Sequence, residues 1–194
     1  MAKTLYLMRH AQTLFNKLGK IQGFCDSPLT AEGIQQAKQA GRFLAVISFD
    51  HYYCSTSERC SDTLELITKQ PYQRLKGLKE ANFGVFEGEH EYLNPDLSRL
   101  EDFFVPYGGE ARSQVQKRMV ETLTAIMQDP QNQCVLAVSH AGANMSFLAK
   151  WADPSIVFER FGRIPNCCIF KYTYDETTQT FTLLDIYDPT QESR

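Results

Sequence analysis

The sequence predicts an α/β fold, a three-layer α/β/α sandwich with a mostly parallel central sheet and an antiparallel C-terminal hairpin. Short apolar runs alternate along the chain with segments of helical period, which is the pattern of strands joined by helical crossovers. The run CVLAVS (134–139) has the composition of a fully buried strand. Near the end of the chain, residues 167–187 alternate on both sides of DETTQ, which indicates a hairpin.

Three other short runs indicate the remaining parallel strands. TLYLM (4–8) reads as a buried strand, HYYCST (51–56) as an aromatic strand, and residues 72–75 as a short third one. The first of these runs stops abruptly at an arginine and a histidine, Arg9 and His10.

Four segments have the spacing of amphipathic helices. The first covers 30–47, with Thr30 as its N-cap. The second covers 60–69. The third carries apolar residues at every third or fourth position over 115–126, and Asp129-Pro130 ends it. The fourth, AGANMSFLAKWA, begins directly after the strand CVLAVS.

The chain is expected to form a single domain over 1–194, with residues 81–112 as a lid or substrate-facing excursion. The apolar residues of this excursion follow neither the helical nor the strand period. It contains glycines and two prolines, and its basic residues are Arg99 and Arg112. Such an acidic rim would repel a second anionic group on a substrate. The carboxylates of the excursion are Glu87, Glu89, Glu91, Asp96, Glu101, Asp102 and Glu110.

Composition narrows the class of protein. The 194 residues are 43% hydrophobic and 22% charged, with a net charge of −3, so nothing favours binding to nucleic acid or to an anionic membrane. No stretch approaches the length of a membrane span, and the N-terminal residues lack the apolar run of a secretion signal. We therefore expect a cytoplasmic protein that uses neither partner. The composition leaves its oligomeric state open.

The six cysteines show no spacing typical of a metal site. No C-x-x-C pair occurs, and no histidines repeat at ligand spacing. Cys54 and Cys134 lie inside apolar strand-like runs, where a reduced cysteine acts as a small core residue. We expect structural thiols, no metal and no cofactor. A cysteine nucleophile stays open, although nothing singles one out.

Two predicted strands end in the same way. TLYLM runs into Arg9-His10-Ala11, and CVLAVS runs into His140-Ala141-Gly142. Arg59 begins the helix after a third strand. Ligands of open α/β sheets bind beyond the carboxyl ends of the strands, so these residues should meet there. With a free helix N-terminus and no obvious carboxylate, the pocket suits a dianionic phosphate.

Five motifs carry a family resemblance. MRHAQTLFN, IQGFCDSPLTAEG, SERCSDT, LKEANFGVFEG and VSHAGAN occur in the order found in the histidine phosphatase superfamily, which includes the phosphoglycerate mutases. The resemblance covers about residues 5–144 and, more weakly, PNCCIFKY near the end. Three departures are Ala11-Gln12 where Gly-Glu is usual, Ala141 where glycine is usual, and GGEA (108–111) where GGES is common.

The resemblance implies a role for each matched residue. His10 would be the nucleophile that becomes a phosphohistidine, and Glu80 would be the proton donor, with Glu87 or Glu89 as its alternatives. The other matched residues would bind the phosphoryl group or substrate. These are Arg9, Asn16, Gln22, Arg59, His140 and Ala141.

These implied roles predict a metal-independent phosphomonoesterase that acts on a phosphorylated small molecule. A neutral imidazole can attack phosphorus, fixed cations stabilise the transferred group, and a carboxylic acid protonates the leaving oxygen. Phosphoglycerate mutase-type transfer is the alternative within enzymes, and the acidic rim argues against it. A non-catalytic phosphate-binding protein is the other alternative.

Overall fold

The computed structural model describes residues 2–96 and 101–191. Its centre is a six-stranded sheet in the order β3-β2-β4-β1-β5-β6. The strands β3, β2, β4 and β1 are parallel, and β5 and β6 add an antiparallel pair at one edge. This confirms the predicted α/β fold with its C-terminal hairpin. The strands are β1 (Lys3–Arg9), β2 (His51–Ser55), β3 (Tyr72–Leu75), β4 (Cys134–Ser139), β5 (Ile169–Asp175) and β6 (Thr180–Tyr187).

Helices cover both faces of the sheet because alternate strand residues point to opposite sides. Leu5 and Leu7 of β1 pack in a core with helices α4 and α5, whereas Tyr6 and Met8 pack with α2 and α3. The helices are α1 (Leu14–Lys17), α2 (Ala31–Leu44), α3 (Glu58–Ile67), α4 (Arg112–Gln128), α5 (Ala141–Trp151) and α6 (Ser155–Phe161).

The helix boundaries largely follow the predicted signals. The Thr30 hydroxyl accepts from the Gly33 N–H at 3.0 Å and so caps α2, as the sequence predicts. The α4 helix ends at Gln128, directly before Asp129-Pro130. The sequence analysis missed α1 and α6, which have only 4 and 7 residues and therefore too few positions to show a period.

The excursion is held by an aromatic cluster of its own. Phe86 lies 5.6 Å from Phe104 and 5.1 Å from Tyr107, measured between ring centroids, and Phe83 lies 4.9 Å from Phe104. Short 3-10 turns at Gly84–Phe86 and Val105–Tyr107 bring these rings together. Whether the excursion acts as a lid stays a prediction, and Arg99 lies outside the described residues.

Three of the predicted rim carboxylates bind protein groups instead of facing solvent freely. Glu101 accepts from the Ser113 N–H at 3.1 Å, Glu110 pairs with Arg118, and Glu87 accepts backbone N–H groups. The negative rim is therefore weaker than the residue count suggests, and its argument against a second anionic group on the substrate weakens with it.

Four of the six cysteines, Cys54, Cys60, Cys167 and Cys168, are buried, while Cys25 and Cys134 are partly exposed. Within the part of the chain that the structure describes, no helix has the length and hydropathy needed to cross a membrane.

Candidate active site

The carboxyl ends of β1 and β4 lie side by side and bring the two histidines together. The His10 N–H extends the β1–β4 ladder by donating to the Ser139 carbonyl at 3.0 Å. The His10 and His140 rings then stand 5.3 Å apart between centroids. His10 is 4% exposed and His140 is fully buried. The predicted meeting of the two strand ends is what the structure shows.

The His10 ring is held in one tautomer. Its Nδ1 lies 2.8 Å from the Ala11 carbonyl oxygen, which can only accept, so Nδ1 carries the proton. Burial lowers the pKa of His10 well below its ordinary value, and the nearby Arg59 and Arg9 guanidinium groups lower it further. The ring is therefore neutral at pH 7, with its lone pair on Nε2.

His140 is also a neutral imidazole. Arg59 Nη2 donates to its Nδ1 at 2.9 Å, and its Nε2 lies 2.8 Å from the Ser55 hydroxyl. Burial, with the charge of Arg59, holds its pKa well below the usual range. Both ring nitrogens thus contact protein groups, so His140 orients Arg59 as well as facing His10.

Arg59 is fully buried at the first turn of α3 and is surrounded by acceptors. Its Nη2 donates to the Gly23 carbonyl at 2.8 Å, and its Nη1 donates to the Cys25 carbonyl at 3.0 Å. The Asp26 carboxylate forms a salt bridge with Nη1 at 2.9 Å. The expectation of a pocket without a carboxylate is therefore wrong, because the 22–26 loop folds back over α3.

Two guanidinium groups each keep one buried N–H without an acceptor. The Nε atoms of Arg9 and Arg59 have no hydrogen-bond partner among the described residues, although Arg9 Nη1 donates to the Ile164 carbonyl. Burial lowers the pKa of Arg9, and the Glu80 carboxylate opposes that effect. The Ser57 hydroxyl, two positions before Arg59, is also buried and has no hydrogen-bond partner among the described residues. Unpaired buried donors are costly unless a ligand uses them.

Glu80 caps the N-terminus of α5. Its Oε2 accepts from the Gly142 N–H at 2.8 Å, and its Oε1 accepts from the Ala143 and Ala81 N–H groups at 2.7 and 2.9 Å. The predicted free helix end is thus partly occupied by a carboxylate. The Ala141 N–H donates to no group in the described residues, so it is the α5 donor that stays open to a ligand.

Gly142 packs closely against the Glu80 carboxylate at this helix end. A Cβ on Gly142 would lie 2.8 Å from Glu80 Oε1, closer than real contacts allow. The sequence has Ala141 where glycine is usual, but the residue that packs against Glu80 is Gly142. The departure therefore does not affect this contact.

Glu87 is a structural carboxylate. It accepts from the backbone N–H groups of Gly23, Phe24, Cys25 and Phe83 at 2.8–3.0 Å. Burial alone would raise its pKa, but these hydrogen bonds and the Cys25 thiol hold the pKa below its usual value. It therefore joins the 22–26 loop to the excursion, whereas Glu80 lies at the N-terminus of α5, the helix that begins directly after His140.

Asn16 lies in α1, and Gln22 lies on the loop that follows this helix. The Asn16 Oδ1 accepts from the Thr13 N–H and from Asn166 Nδ2, both at 3.2 Å. Gln22 accepts from the Thr13 hydroxyl at 2.7 Å and donates to Ser27 at 3.0 Å. Their predicted contact with phosphate stays a prediction.

The thiols are poor nucleophiles in this structure. Cys60 Sγ lies 3.5 Å from His140 Nε2, yet burial raises its pKa well above the ordinary value. Burial likewise raises the pKa of Cys54 and of Cys168 to about 12. The histidine is the better candidate.

Sequence reasoning missed Asp26, Asn166 and Arg118. Asn166 Nδ2 donates to the His10 carbonyl at 3.1 Å, and Arg118 binds the backbone of the segment that carries Glu80. Asp26 and Asn166 lie inside the motifs IQGFCDSPLTAEG and PNCCIFKY, which mark their neighbourhood but not their contacts, and Arg118 lies outside every motif. Residue type and spacing gave no means of finding them.

The chain thus has an α/β fold with two histidines and two arginines at the strand ends, and comparisons with known proteins identify its family. A family model for the histidine phosphatase superfamily (branch 1) matches residues 5–186. The chain therefore belongs to this superfamily, and the resemblance seen in the sequence is confirmed.

Individual relatives differ in what their names describe. The probable phosphoglycerate mutase GpmB of Salmonella choleraesuis (strain SC-B67) is 31% identical over 185 residues, which cover 89% of this chain and 86% of that protein. The alpha-ribazole phosphatase from Shigella flexneri has a TM-score of 0.80 at 25% identity and covers 96% of both chains. A mutant phosphoserine phosphatase from Entamoeba histolytica, in complex with phosphoserine, has a TM-score of 0.80 at 27% identity, covering 98% of this chain and 99% of its own.

Proposed function

We propose that the protein is a metal-independent phosphomonoesterase acting on a phosphorylated small molecule through a phosphohistidine at His10. The observation that carries the proposal is a neutral imidazole, with its lone pair on Nε2, close to two guanidinium groups whose buried Nε–H groups have no partner among the described residues. Such fixed donors stabilise the charge on a transferred phosphoryl group. The cytoplasmic location of the protein stays a prediction from its composition.

The proposed reaction has two half-steps, phosphorylation of His10 and hydrolysis of the phosphohistidine. His10 Nε2 forms a bond to phosphorus as the ester P–O bond breaks, and the Glu80 carboxyl proton passes to the departing alcohol oxygen. The Nδ1–H bond to Ala11 stabilises the positive ring that forms. Water then attacks phosphorus, the N–P bond breaks, and Glu80 takes up the proton of the water, which releases phosphate and restores neutral His10.

The decisive experiment traps the intermediate. Wild-type protein that turns over an aryl phosphate, quenched in alkali, should carry an acid-labile phosphoryl group on His10 by mass spectrometry. His10→Ala should carry none and should lose turnover while its circular dichroism spectrum is unchanged. An adduct on a cysteine, or turnover by His10→Ala, would overturn the assignment. Turnover should persist in excess chelator.

Mutase-type transfer is the second candidate because a relative is named as a probable mutase. With 3-phosphoglycerate, a phosphatase should release inorganic phosphate, whereas a mutase should yield 2-phosphoglycerate with little phosphate. Binding of phosphate without either product, with no adduct on His10, would leave a non-catalytic binding protein.

A further inference from the structure

Arg118, on the α4 helix, uses every guanidinium donor on groups of the protein. Its Nε donates to Glu110 Oε1 at 2.9 Å, and its Nη2 donates to Glu110 Oε2 at 2.9 Å. Its Nη1 donates to the carbonyls of Gly77 and Lys79 at 3.0 and 2.6 Å, and Nη2 also donates to the Glu80 carbonyl at 2.8 Å. Arginine has five N–H donors in a rigid fork, and all five are engaged.

Glu110 completes the clamp from the far end of the excursion. Its Oε2 also accepts from the Asn82 N–H at 2.9 Å, and its own N–H donates to the Asn82 carbonyl at 2.8 Å. Arg118 and Glu110 thus grip the backbone on both sides of Glu80. We call these two residues the Arg118–Glu110 clamp.

The segment held by the clamp has no regular secondary structure of its own. Residues 79–83 lie between two 3-10 turns and belong to no helix or strand. The Ser139 hydroxyl donates to the Leu78 carbonyl at 2.8 Å on the other side. Without Arg118, the carbonyls of Gly77, Lys79 and Glu80 would lose this donor. The backbone that carries Glu80 would then be less firmly held, although its carboxylate must stay at the N-terminus of α5.

We propose that the Arg118–Glu110 clamp positions Glu80 for proton transfer to the leaving oxygen, and that neither residue touches the substrate. The inference rests on the proposed role of Glu80 as acid. Misplacement of a reacting group by about 1 Å can cost about 10²-fold in rate, so a clamp on the backbone affects the chemistry directly. Its loss should resemble a weakened Glu80 and leave binding of the phosphoryl group intact.

The leaving group separates this role from general support of the fold. An alkyl phosphate needs a proton on its departing oxygen, whereas nitrophenolate leaves without one. Glu80→Gln is measured first and should lower kcat/KM by about 10²-fold or more on the alkyl ester, with a far smaller loss on nitrophenyl phosphate.

Arg118→Met and Glu110→Gln should then show the same selective loss, about tenfold or more on the alkyl ester and within about threefold on the aryl ester. Arg118→Lys keeps the charge but cannot form the fork, and should fall between Arg118→Met and wild type. Lys117→Met is the control, since Lys117 is the neighbouring exposed cation on α4, with only a 3.9 Å contact to Glu121. It should leave both substrates unaffected.

A double-mutant cycle gives the sharpest test. If Arg118 acts through Glu80, adding Arg118→Met to Glu80→Gln should cause no further loss on the alkyl ester. The clamp proposal alone would be overturned if the losses from Arg118→Met and Glu80→Gln were additive. It would also be overturned if Glu80→Gln lost activity selectively on the alkyl ester while Arg118→Met lost equal activity on both substrates. A Glu80→Gln variant that is itself unselective would overturn the acid role, and the positioning role with it. Should Arg118→Met fail to fold, Glu110→Gln and Arg118→Lys decide the same question.

Discussion

At the scale of single residues, His10 combines a fixed tautomer with a suppressed charge. The Ala11 carbonyl holds the proton on Nδ1, while burial and two neighbouring guanidinium groups disfavour the protonated ring. A nucleophile must carry a lone pair, so these effects favour the reactive form at neutral pH. The two cations that we propose to bind the phosphoryl group also depress this pKa, so in this proposal one pair of arginines serves both purposes.

This arrangement predicts the acid limb of the pH profile. Since the folded-state pKa of His10 lies well below 6.5, its protonation should not reduce kcat/KM above about pH 6.5. Arg59→Met removes one cation, so the acid limb should move to higher pH while burial still keeps it below the free value. Kinetics across pH and an NMR titration of the ring measure the shift.

Arg42→Met serves as the charge control, because Arg42 is exposed on α2. It should leave the acid limb in place. An acid limb that did not move in Arg59→Met would mean that the guanidinium does not act on His10.

At the scale of elements, one carboxylate joins two loops that flank the site. Glu87 accepts four backbone N–H groups from the 22–26 loop and the excursion. The same loop supplies the acceptors that hold Arg59. A Cβ on Gly23 would lie 2.1 Å from the Ala81 carbonyl, so the two segments touch at a position that only glycine permits.

Glu87→Gln should therefore destabilise the protein by roughly 1–3 kcal/mol, because an amide cannot replace a carboxylate that accepts at both oxygens. Chemical denaturation measures the loss. Glu89→Gln, a neighbouring exposed carboxylate, should change stability by less than about 0.5 kcal/mol. Any kinetic effect of Glu87→Gln should be equal on alkyl and aryl phosphates. A loss confined to the alkyl ester would instead make Glu87 the acid.

At the scale of the whole molecule, the buried histidines couple the fold to pH. Both His10 and His140 have pKa values well below 6.5 in the folded protein, whereas the unfolded chain has ordinary values near 6.5. Between the folded and unfolded pKa values the unfolded state binds more protons. Stability from these groups is therefore complete above about pH 6.5 and falls as the pH drops below it.

The free energy of unfolding should thus decline between about pH 6.5 and pH 5, above the range in which most carboxylates titrate. His140→Gln should flatten this decline, because one of the two titrating groups is removed. His90→Gln, at an exposed position, should not alter the slope. An unchanged slope in His140→Gln would show that this ring does not carry the effect.

The order of residue types along the chain predicts the sheet, the helices that cover it and the convergence of Arg9, His10, Arg59 and His140. The spacing of apolar residues indicates where strands and helices form. Because the carboxyl ends of parallel strands lie at the same edge of a sheet, the residues that follow those strands converge there. The short helices α1 and α6 lay below the length at which a period can be read.

The contacts that those residues make depend on how the loops pack in the folded chain. Asp26 on Arg59, Glu80 at the α5 N-terminus, and Arg118 on the backbone beside Glu80 join positions 33, 62 and 38 residues apart. They depend on how irregular loops pack over the sheet, and a loop has no repeating pattern that would relate its residue types to a contact. The strand ends thus fix where the two histidines meet, while the packing of the loops decides which N–H groups of Arg9 and Arg59 lack a partner among the described residues and which carboxylate binds the α5 N-terminus.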